Sequence, residues 1–429
     1  MSSLFDKKYG YLEQFMAKKI ILVVGTYDTK NDELSYISKK IIDLGGDVLT
    51  MDVSVLGNPA EPTDISKQKV AEASGLTIDD AKNAGDENKA MQIMAKGSSL
   101  LASQLYNDNK FDGVIILGGT MGTDLALDVC AALPLGVPKY IVSTVSFSPL
   151  IPAARLAPDI QMILWAGGLY GLNSICEASL SQAAGAVLGA ANAFEIKKEK
   201  KPCVGMTSLG SSALKYMKTL KPALEARGYE VAIFHSTGMG GRAFEGLCEQ
   251  GAFVAVMDFC IQELTNHIHG SEVTSGADRV TAAGKHGIPQ ICAPGCHDLV
   301  DLICWQEMPD KWRNHPYHAH NRLISSIVLN PKERVQVAKG FMQQLSMASS
   351  ETHVILPLGG CGEWDRPDGG LNDPVGLETF MQTCKENQPS NVISHELNCH
   401  INDLDFSNKA LEIFDDMVER RIVVKDFNK

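Results

Sequence analysis

The sequence runs twice through the same order of short apolar segments, once on each side of the lysine-rich stretch EIKKEKKP at residues 195–202. The segments correspond in order: IILVVG with PCVGMT, GGDVLTM with GYEVAIF, FDGVIILGGT with GAFVAVMDFC, LGVPKYIVST with HGIPQICAPG, and IQMILWAGG with THVILPLGG. Short apolar segments that alternate with helical segments are typical of parallel strands joined by right-handed crossovers. The repeat therefore predicts an α/β fold with two doubly wound, Rossmann-like domains.

The repeat also sets the domain boundaries. We expect an N-terminal Rossmann-like, nucleotide-binding domain over residues 1–200 and a C-terminal Rossmann-like domain with histidine-rich loops over residues 201–429. Because ligand pockets are frequent between domains, we expect a ligand cleft between the two halves. Residues 59–94 carry no clear strand pattern, which indicates either a helical insertion over the first domain or a mobile surface loop.

The composition indicates a globular protein that has neither a nucleic acid nor a membrane as partner. The formal net charge is -12 at pH 7, whereas phosphate backbones are bound by clustered lysine and arginine. No segment reaches the ~20 apolar residues of a membrane-spanning helix, and the charged beginning of the chain is unlike a signal peptide. The 11 cysteines are scattered without a C-x-x-C pair, which favours a reduced, cytoplasmic protein.

The end of the first apolar segment is the first candidate site. IILVVG is followed at once by hydroxyl and charged residues, in the sequence GTYDTKNDE. Ligands of doubly wound sheets bind at the carboxyl ends of the strands, so this stretch predicts part of a ligand site. The alternative is a polar loop in which Asp28 or Thr29 caps the following helix.

A glycine-rich loop, GGTMGT at residues 118–123, follows the segment GVIIL and precedes a helical segment. Glycines let a backbone approach a ligand closely, and the N-terminus of the following helix offers N–H groups to phosphate. The alternative is a tight structural turn. The predicted nucleotide site takes its residues from these two loops and from the end of KYIVS: Gly25, Thr26, Asp28, Thr29, Lys30, Gly118, Gly119, Thr120, Gly122, Thr123 and Ser143.

A second glycine-rich loop follows the segment EVAIF in the second half, at a place that we expect to be equivalent to the first. Three glycines, two hydroxyls and an arginine form a predicted site for a phosphate or carboxylate group. The alternative pairs the arginine with Glu245 on the surface of the helix. The predicted anion-binding residues are His235, Ser236, Thr237, Gly238, Gly240, Gly241 and Arg242.

Histidines and one cysteine of the second half are further candidates. The histidines are concentrated in APGCHD, HPYHAHN and HELNCHIND, where they could act as acids and bases or, with Asp298 and Asp403, bind a metal. Their spacing matches no known ligand motif, so we expect no metal site and ordinary hydrogen-bonded histidines. Cys361, within GGCGEWDRPDGG, is either a nucleophile or a buried thiol.

Several stretches together resemble one family over nearly the full length of the chain: GTYDTKNDE, LGGTMGT, GVPKYIVST, AGGLYGLNS, GMTSLGSS, FHSTGMGGRAFE, TAAGKHGIPQ and HINDLDF. The sequence is similar to the tomato mosaic virus resistance protein-like ATP-binding family. This resemblance implies two Rossmann-like halves that bind ATP, with or without Mg²⁺. Plant members continue into a domain that resembles a TIM-barrel enzyme, so the resemblance implies a separate TIM-barrel protein as partner. The antiviral role of plant members does not transfer.

Two functions fit these features. The first is an enzyme of small-molecule metabolism that binds a nucleotide and a phosphorylated or carboxylated substrate between the halves, since helix N-termini beside lysine or arginine stabilise developing negative charge. The second is a nucleotide-sensing protein whose ATP-bound form is read by a partner. The sequence favours the enzyme, because polar residues gather at strand ends in both halves. We also expect a homo-oligomer.

Overall fold

A computed structural model describes residues 18–152, 155–194, 201–210 and 212–424. The chain divides into two compact units, unit 1 over residues 1–196 and unit 2 over residues 197–429. The predicted boundary at residue 200 lies outside the described residues. Within the described ranges, no helix combines the length and the apolar character that crossing a bilayer requires.

Unit 1 contains one parallel sheet of the order β2-β1-β3-β4-β5. Its strands are β1 Ile20–Gly25, β2 Asp47–Asp52, β3 Gly113–Gly118, β4 Lys139–Ser143 and β5 Ile160–Leu164. Its helices are α1 Asn31–Asp43, α2 Lys67–Ala73, α3 Ile78–Lys82, α4 Glu87–Asn107, α5 Thr120–Ala132 and α6 Ser174–Ala193.

Both faces of this sheet are covered, which explains why strands β1 and β3 carry no polar side chain. Successive side chains of a strand point to opposite faces. Accordingly, Leu22 and Val24 join one buried cluster with α4 and α5, whereas Ile21 and Val23 join another with α1 and α6. The two clusters hold β1 in the middle of a helix–sheet–helix sandwich.

Most of the segment from residue 59 to residue 94 is helical, which confirms the helical insertion and not the surface loop. The segment contains α2, α3 and the start of α4. Each helix begins at a polar side chain that accepts a hydrogen bond from a backbone N–H of its first turn, namely Ser66, Thr77 and Asp86. Such caps satisfy N–H groups that have no partner within the helix.

Unit 2 contains a larger parallel sheet of the order β14-β13-β9-β8-β6-β7 and a small antiparallel sheet of the order β10-β12-β11. Its strands are β6 Cys203–Ser208, β7 Glu230–His235, β8 Ala255–Cys260, β9 Gln290–Gly295, β10 Leu299–Ile303, β11 Tyr317–Ala319, β12 Ile324–Val328, β13 Thr352–Pro357 and β14 Val392–Leu397. Its helices are α7 Lys215–Ala226, α8 Met239–Glu249, α9 Gln262–Ile268, α10 Ala282–Lys285, α11 Pro331–Ser346, α12 Pro374–Glu386 and α13 Leu404–Glu419.

The two parallel sheets repeat one strand order, which confirms the predicted fold class. Read from its edge, the sheet of unit 2 runs β7-β6-β8-β9-β13, and the sheet of unit 1 runs β2-β1-β3-β4-β5. Each pair of segments that the sequence aligned therefore occupies the same position in its sheet. Unit 2 differs by the additional strand β14 and by the antiparallel sheet inserted after β9.

Candidate functional site

The strand order of unit 1 places two of the predicted loops side by side. Strands β1 and β3 are neighbours, with Val24 opposite Ile116. From this pair, β2 is added on one side and β4 and β5 on the other, so β1 and β3 flank the topological switch point where doubly wound sheets bind ligands. The loops of residues 25–30 and 118–123 both begin there.

The loop after β1 is a compact turn with polar groups at its surface. The Thr26 carbonyl accepts hydrogen bonds from the N–H groups of Thr29 at 3.2 Å and Lys30 at 2.9 Å. The Thr26 and Thr29 hydroxyls are 3.1 Å apart, and the Lys30 Nζ lies 3.4 Å from the Thr29 hydroxyl. Within the described part of the chain, Lys30 forms no ion pair with a carboxylate. Its ammonium group is available to an anion.

The capping alternative for this loop is wrong. Helix α1 has Lys30 at its N-cap position and no side-chain hydrogen bond there. Asp28 instead accepts a hydrogen bond from the Gly57 N–H at 3.0 Å, which ties the loop after β1 to the loop after β2. Asp28 and Thr29 therefore shape the strand-end surface and do not cap the helix.

Two residues that the sequence interpretation missed anchor this loop. Asp52, at the end of β2, accepts hydrogen bonds from the Tyr27 N–H at 3.2 Å and the Ser54 N–H at 2.9 Å. The Ser54 hydroxyl in turn accepts from the Asp28 N–H at 3.1 Å. Their signal in the sequence is their place directly at the end of an aligned strand segment, GGDVLTMDVS.

The loop after β3 contains one glycine that packing requires and two that packing does not require. A Cβ at Gly118 would lie 2.6 Å from the backbone of Gly122, so the fold itself requires glycine at 118. By contrast, a Cβ at Gly119 would meet only the Thr144 hydroxyl, at 3.8 Å, and one at Gly122 only the Leu117 carbonyl, at 3.5 Å. Packing does not require glycine at these two positions.

The same loop leads directly into α5, whose first turn is not capped by a side chain. Helix α5 begins at Thr120, with Gly119 at the N-cap position and no side-chain cap hydrogen bond. The Thr123 N–H is bonded to the Gly119 carbonyl at 2.8 Å. The first N–H groups of a helix have no partner within the helix, and they carry its positive dipole end. This end of α5 therefore suits an anion.

Thr123 and Ser143 hold the loop and lie beneath its surface. Both side chains are buried, and their hydroxyl oxygens are 2.6 Å apart. The Thr123 hydroxyl donates to the Gly119 carbonyl at 2.7 Å, and the Ser143 hydroxyl accepts from the Val145 N–H at 3.0 Å. These two residues position the start of α5.

The second glycine-rich loop does not occupy the equivalent place that we predicted. It follows β7, which corresponds to the edge strand β2, whereas the first loop follows β3. The structural counterpart of the first loop is the turn after β8, from which α9 begins at Gln262. The similar glycine patterns of the two loops therefore do not reflect the repeat.

The N-terminus of α8, to which the second loop leads, already holds an anion of the protein. Oε1 of Glu263 accepts hydrogen bonds from the N–H groups of Gly238 at 2.6 Å and Gly241 at 2.9 Å. Oε2 of the same carboxylate lies 2.9 Å from Nε of the fully buried Arg279. Burial raises the pKa of Glu263, while Arg279 and the two N–H groups oppose that rise.

Each glycine of the second loop has a role in the fold. Gly238 has a φ of 90°, which disfavours other residues. A Cβ at Gly240 would lie 1.8 Å from the His235 carbonyl, and one at Gly241 would lie 1.8 Å from the Glu263 carboxylate. The glycines of this loop are therefore required by the fold and do not by themselves indicate a ligand.

The other residues of the second loop bond within the protein. Nη1 of Arg242 lies 3.0 Å from the Asp278 carboxylate, so its partner is not Glu245. Glu245 is buried against Arg279 instead. The Ser236 side chain is buried, whereas His235 and Thr237 are exposed, with 3.3 Å between His235 Nδ1 and the Thr237 hydroxyl.

Among the remaining candidates of unit 2, Cys361, His297 and His400 are buried, whereas His315, His318 and His395 are half-buried and His320 is exposed. Cys361 is fully buried, and burial raises the pKa of its thiol well above the usual value, which favours the buried-thiol alternative. His297 stacks on Phe380 with 3.7 Å between ring centroids and lies within 3.0 Å of the Pro294 carbonyl. Among the described residues, no group of histidine, cysteine and carboxylate side chains has an arrangement that could hold a metal ion.

Comparison with known proteins identifies relatives along both units. Residues 19–195 match the N-terminal domain, and residues 201–418 the C-terminal domain, of the uncharacterised protein family UPF0261. A UPF0261 protein of Brucella melitensis is 52% identical over 405 residues, covering 94% of this chain and 97% of the relative. One of Clostridium tetani is 32% identical over 94% of this chain and 100% of the relative. The ToMV susceptible protein tm-1 of Solanum lycopersicum is 26% identical over 92% of this chain and 55% of that protein.

Proposed function

We propose that this chain, which belongs to the UPF0261 family, binds ATP through unit 1 and is an enzyme of small-molecule metabolism that acts on a phosphorylated or carboxylated substrate. The observation that carries the proposal is the start of α5. It combines uncapped N–H groups with two glycines that packing does not require, at the switch point of the sheet. Phosphate groups bind at such helix N-termini.

The loop after β1 supports a polyphosphate over a neutral ligand. It supplies the Lys30 ammonium group and the Thr26 and Thr29 hydroxyls from the strand next to β3. A lysine acts as a point charge for phosphate oxygens. Mg²⁺ is held mainly by phosphates and one or two carboxylates, and Asp28 is the carboxylate of this loop. The combination favours a nucleotide with several phosphates, such as ATP.

A second candidate is a nucleotide-sensing protein without turnover. It is favoured by apolar side chains that are exposed in the loops after β4 and β5, at the same edge of the sheet as the start of α5. Phe147 is 78% exposed and Tyr170 is 97% exposed. A partner that contacts these side chains would be placed to respond to the nucleotide.

Calorimetric titration with ATP tests the binding site. Replacing Gly122 by leucine should lower ATP affinity at least about tenfold, equivalent to ~1.4 kcal/mol, because the side chain fills the space of the phosphates. The control is Gly189→Leu in α6, where a Cβ has no neighbour within 4 Å. Equal ATP affinities for the two variants and the unmodified protein would refute the loop assignment.

Turnover separates the two candidate functions. The protein is incubated with ATP, Mg²⁺ and a panel of phosphorylated and carboxylated metabolites, and products are followed by phosphorus NMR. If the protein is an enzyme, ATP or one of the metabolites is consumed. The rate of consumption should be lower in Gly122→Leu and unchanged in Gly189→Leu. Tight ATP binding without any turnover across the panel supports the sensor instead.

A further inference from the structure

Unit 2 contains a cavity of about 210 Å³ that lies entirely within the unit. It is lined by residues at or after the ends of β6, β7 and β8, by the inserted antiparallel sheet and by a residue after β13, among them Ser212, His235, Gln262, Asp301, Ser326 and Trp364. Strands β6 and β8 flank the switch point of this sheet, as β1 and β3 do in unit 1. The cavity therefore lies where a doubly wound sheet binds its ligand.

Asp301 lines the cavity with its carboxylate. Among the described residues of the lining, it is the only aspartate, glutamate, lysine or arginine. Asp301 is 3% exposed, with hydrogen bonds from the Ser326 hydroxyl at 2.7 Å and the Asn266 side chain at 3.3 Å. Burial raises its pKa, which these hydrogen bonds, that of Gln262 and the nearby His320 oppose. A cation beside Asp301 would compensate its buried charge.

Gln262 provides a second, independent indication of a ligand. Its side chain is 1% exposed and lines the cavity, and its Oε1 has no hydrogen-bond partner among the described residues. A buried acceptor without a donor costs about 1–3 kcal/mol. A ligand that donates a hydrogen bond to this oxygen would remove the penalty.

The aromatic side of the cavity also suits a cation. The ring of Trp364 lies against His318, with 4.1 Å between centroids, and Trp364 itself lines the cavity with His320. Indole rings attract cations through their faces. His235 accepts a hydrogen bond at Nε2 from the Gly210 N–H at 2.9 Å. Partial desolvation within the cavity, together with the neighbouring His320, lowers its pKa, so both effects favour the neutral form of this exposed ring.

We propose that this cavity binds a small ligand through a protonated amino group, which contacts Asp301 and the Gln262 carbonyl oxygen beside Trp364. The volume is below the roughly 300–1,000 Å³ of pockets for drug-sized ligands, so the ligand is a small metabolite. The site is separate from the ATP site of unit 1 and does not depend on it. His235 and Thr237, for which the sequence predicted anion binding, line this cavity.

Binding to the unmodified protein tests the charge preference directly. D-glucosamine and ethanolamine are compared with their neutral counterparts, N-acetylglucosamine and ethylene glycol, and with inorganic phosphate, by saturation-transfer NMR and calorimetry. We expect at least one amine to bind at least tenfold more tightly than its neutral counterpart. Equal binding of amine and counterpart, binding of phosphate in preference to amines, or no binding of either amine overturns the proposal.

Variants then locate the site. Asp301→Asn keeps the size of the side chain and removes its charge, and should weaken amine binding at least tenfold. Gln262→Met should also weaken amine binding, because it removes the hydrogen-bond acceptor. This variant replaces the first one as the test if Asp301→Asn does not fold. The control is Asp310→Asn, whose side chain is 90% exposed. Amine binding that survives in both folded cavity variants would place the amine elsewhere and overturn the assignment.

Discussion

The starts of α5 and α8 follow loops of similar composition. No side chain caps the N-terminus of α5, whereas a carboxylate of the protein occupies the N-terminus of α8. Before α5, packing leaves space at Gly119 and Gly122, and no side chain caps the first turn. Before α8, the N–H groups of Gly238 and Gly241 bind the carboxylate of Glu263. A glycine-rich loop before a helix therefore predicts an anion site, but the anion is either a ligand or the protein's own carboxylate.

Removal of the Glu263 carboxylate should have the largest effect on stability. Glu263→Ala leaves two N–H groups and one face of the buried Arg279 without a partner, and breaking a buried ion pair costs about 3–5 kcal/mol. Urea unfolding of the full chain measures the loss, and the exposed Glu249→Ala on α8 is the control. A loss of stability equal to that of the control would mean that Glu263 does not stabilise the N–H groups at the start of α8.

The histidines give a second contrast between the units, because all 11 lie beyond residue 200. Burial lowers the pKa of His297 to about 4 from a usual 6.5. Between these values the unfolded chain binds more protons than the folded one, so His297 favours folding fully above about pH 6.5 and this contribution is lost as the pH falls to 4.

The contribution of His297 to the free energy of unfolding should change by about 3 kcal/mol between pH 6.5 and 4, and the change should be confined to unit 2. Hydrogen exchange, followed peptide by peptide between pH 7 and 4 with correction for the intrinsic rates, measures both units in the intact chain. In His297→Gln the pH dependence of unit 2 should become shallower by the share of His297, while His395, whose pKa burial also lowers to about 4, keeps its own share. The exposed His286→Gln should retain the full dependence. The same pH dependence in the His297 variant would assign the effect to other groups.

One substitution made in both loops compares them directly. Gly241→Ala should destabilise by about 1–3 kcal/mol, because its Cβ meets a Glu263 carboxylate that three hydrogen bonds hold in place. Gly122→Ala lies in the first turn of α5 with free space and should change stability by less than about 1 kcal/mol. Thermal unfolding of the two variants measures the difference, and equal losses would contradict the distinction between the loops.

The sequence predicted two doubly wound sheets with corresponding strands, because each aligned segment is an apolar stretch that ends in a polar or glycine-rich turn. It did not predict β14 or the antiparallel sheet of β10, β11 and β12, which have no counterpart in the first half. The stretch HELNCHIND was interpreted as a histidine cluster, although its beginning completes β14. Periodic patterns identify strands that repeat, and they carry less information about short inserted ones.

The candidate sites were predictable only in part. Local pattern identified both glycine-rich loops, since strand end, glycine and helix start are consecutive in the chain. Glu263 accepts a hydrogen bond from Gly238, which lies 25 residues earlier in the sequence. Asp301 accepts one from Asn266, which lies 35 residues earlier. Such contacts are set by which strands become neighbours, and the sequence carries no local signal for the pairing of these side chains.

Arg242→Ala should have the smallest effect. Arg242 forms an ion pair with Asp278 at 3.0 Å, and the two side chains are 26% and 41% exposed. Pairs that are open to solvent contribute about 0–1 kcal/mol, so stability should fall by no more than this. Because Glu263 already occupies the nearby N–H groups, the affinity for ATP and for inorganic phosphate should stay within about twofold. Calorimetric titration of both ligands, with circular dichroism to confirm folding, gives the result. A tenfold loss of phosphate affinity at an unchanged fold would show that Arg242 exchanges Asp278 for a ligand, and the start of α8 would then resemble that of α5.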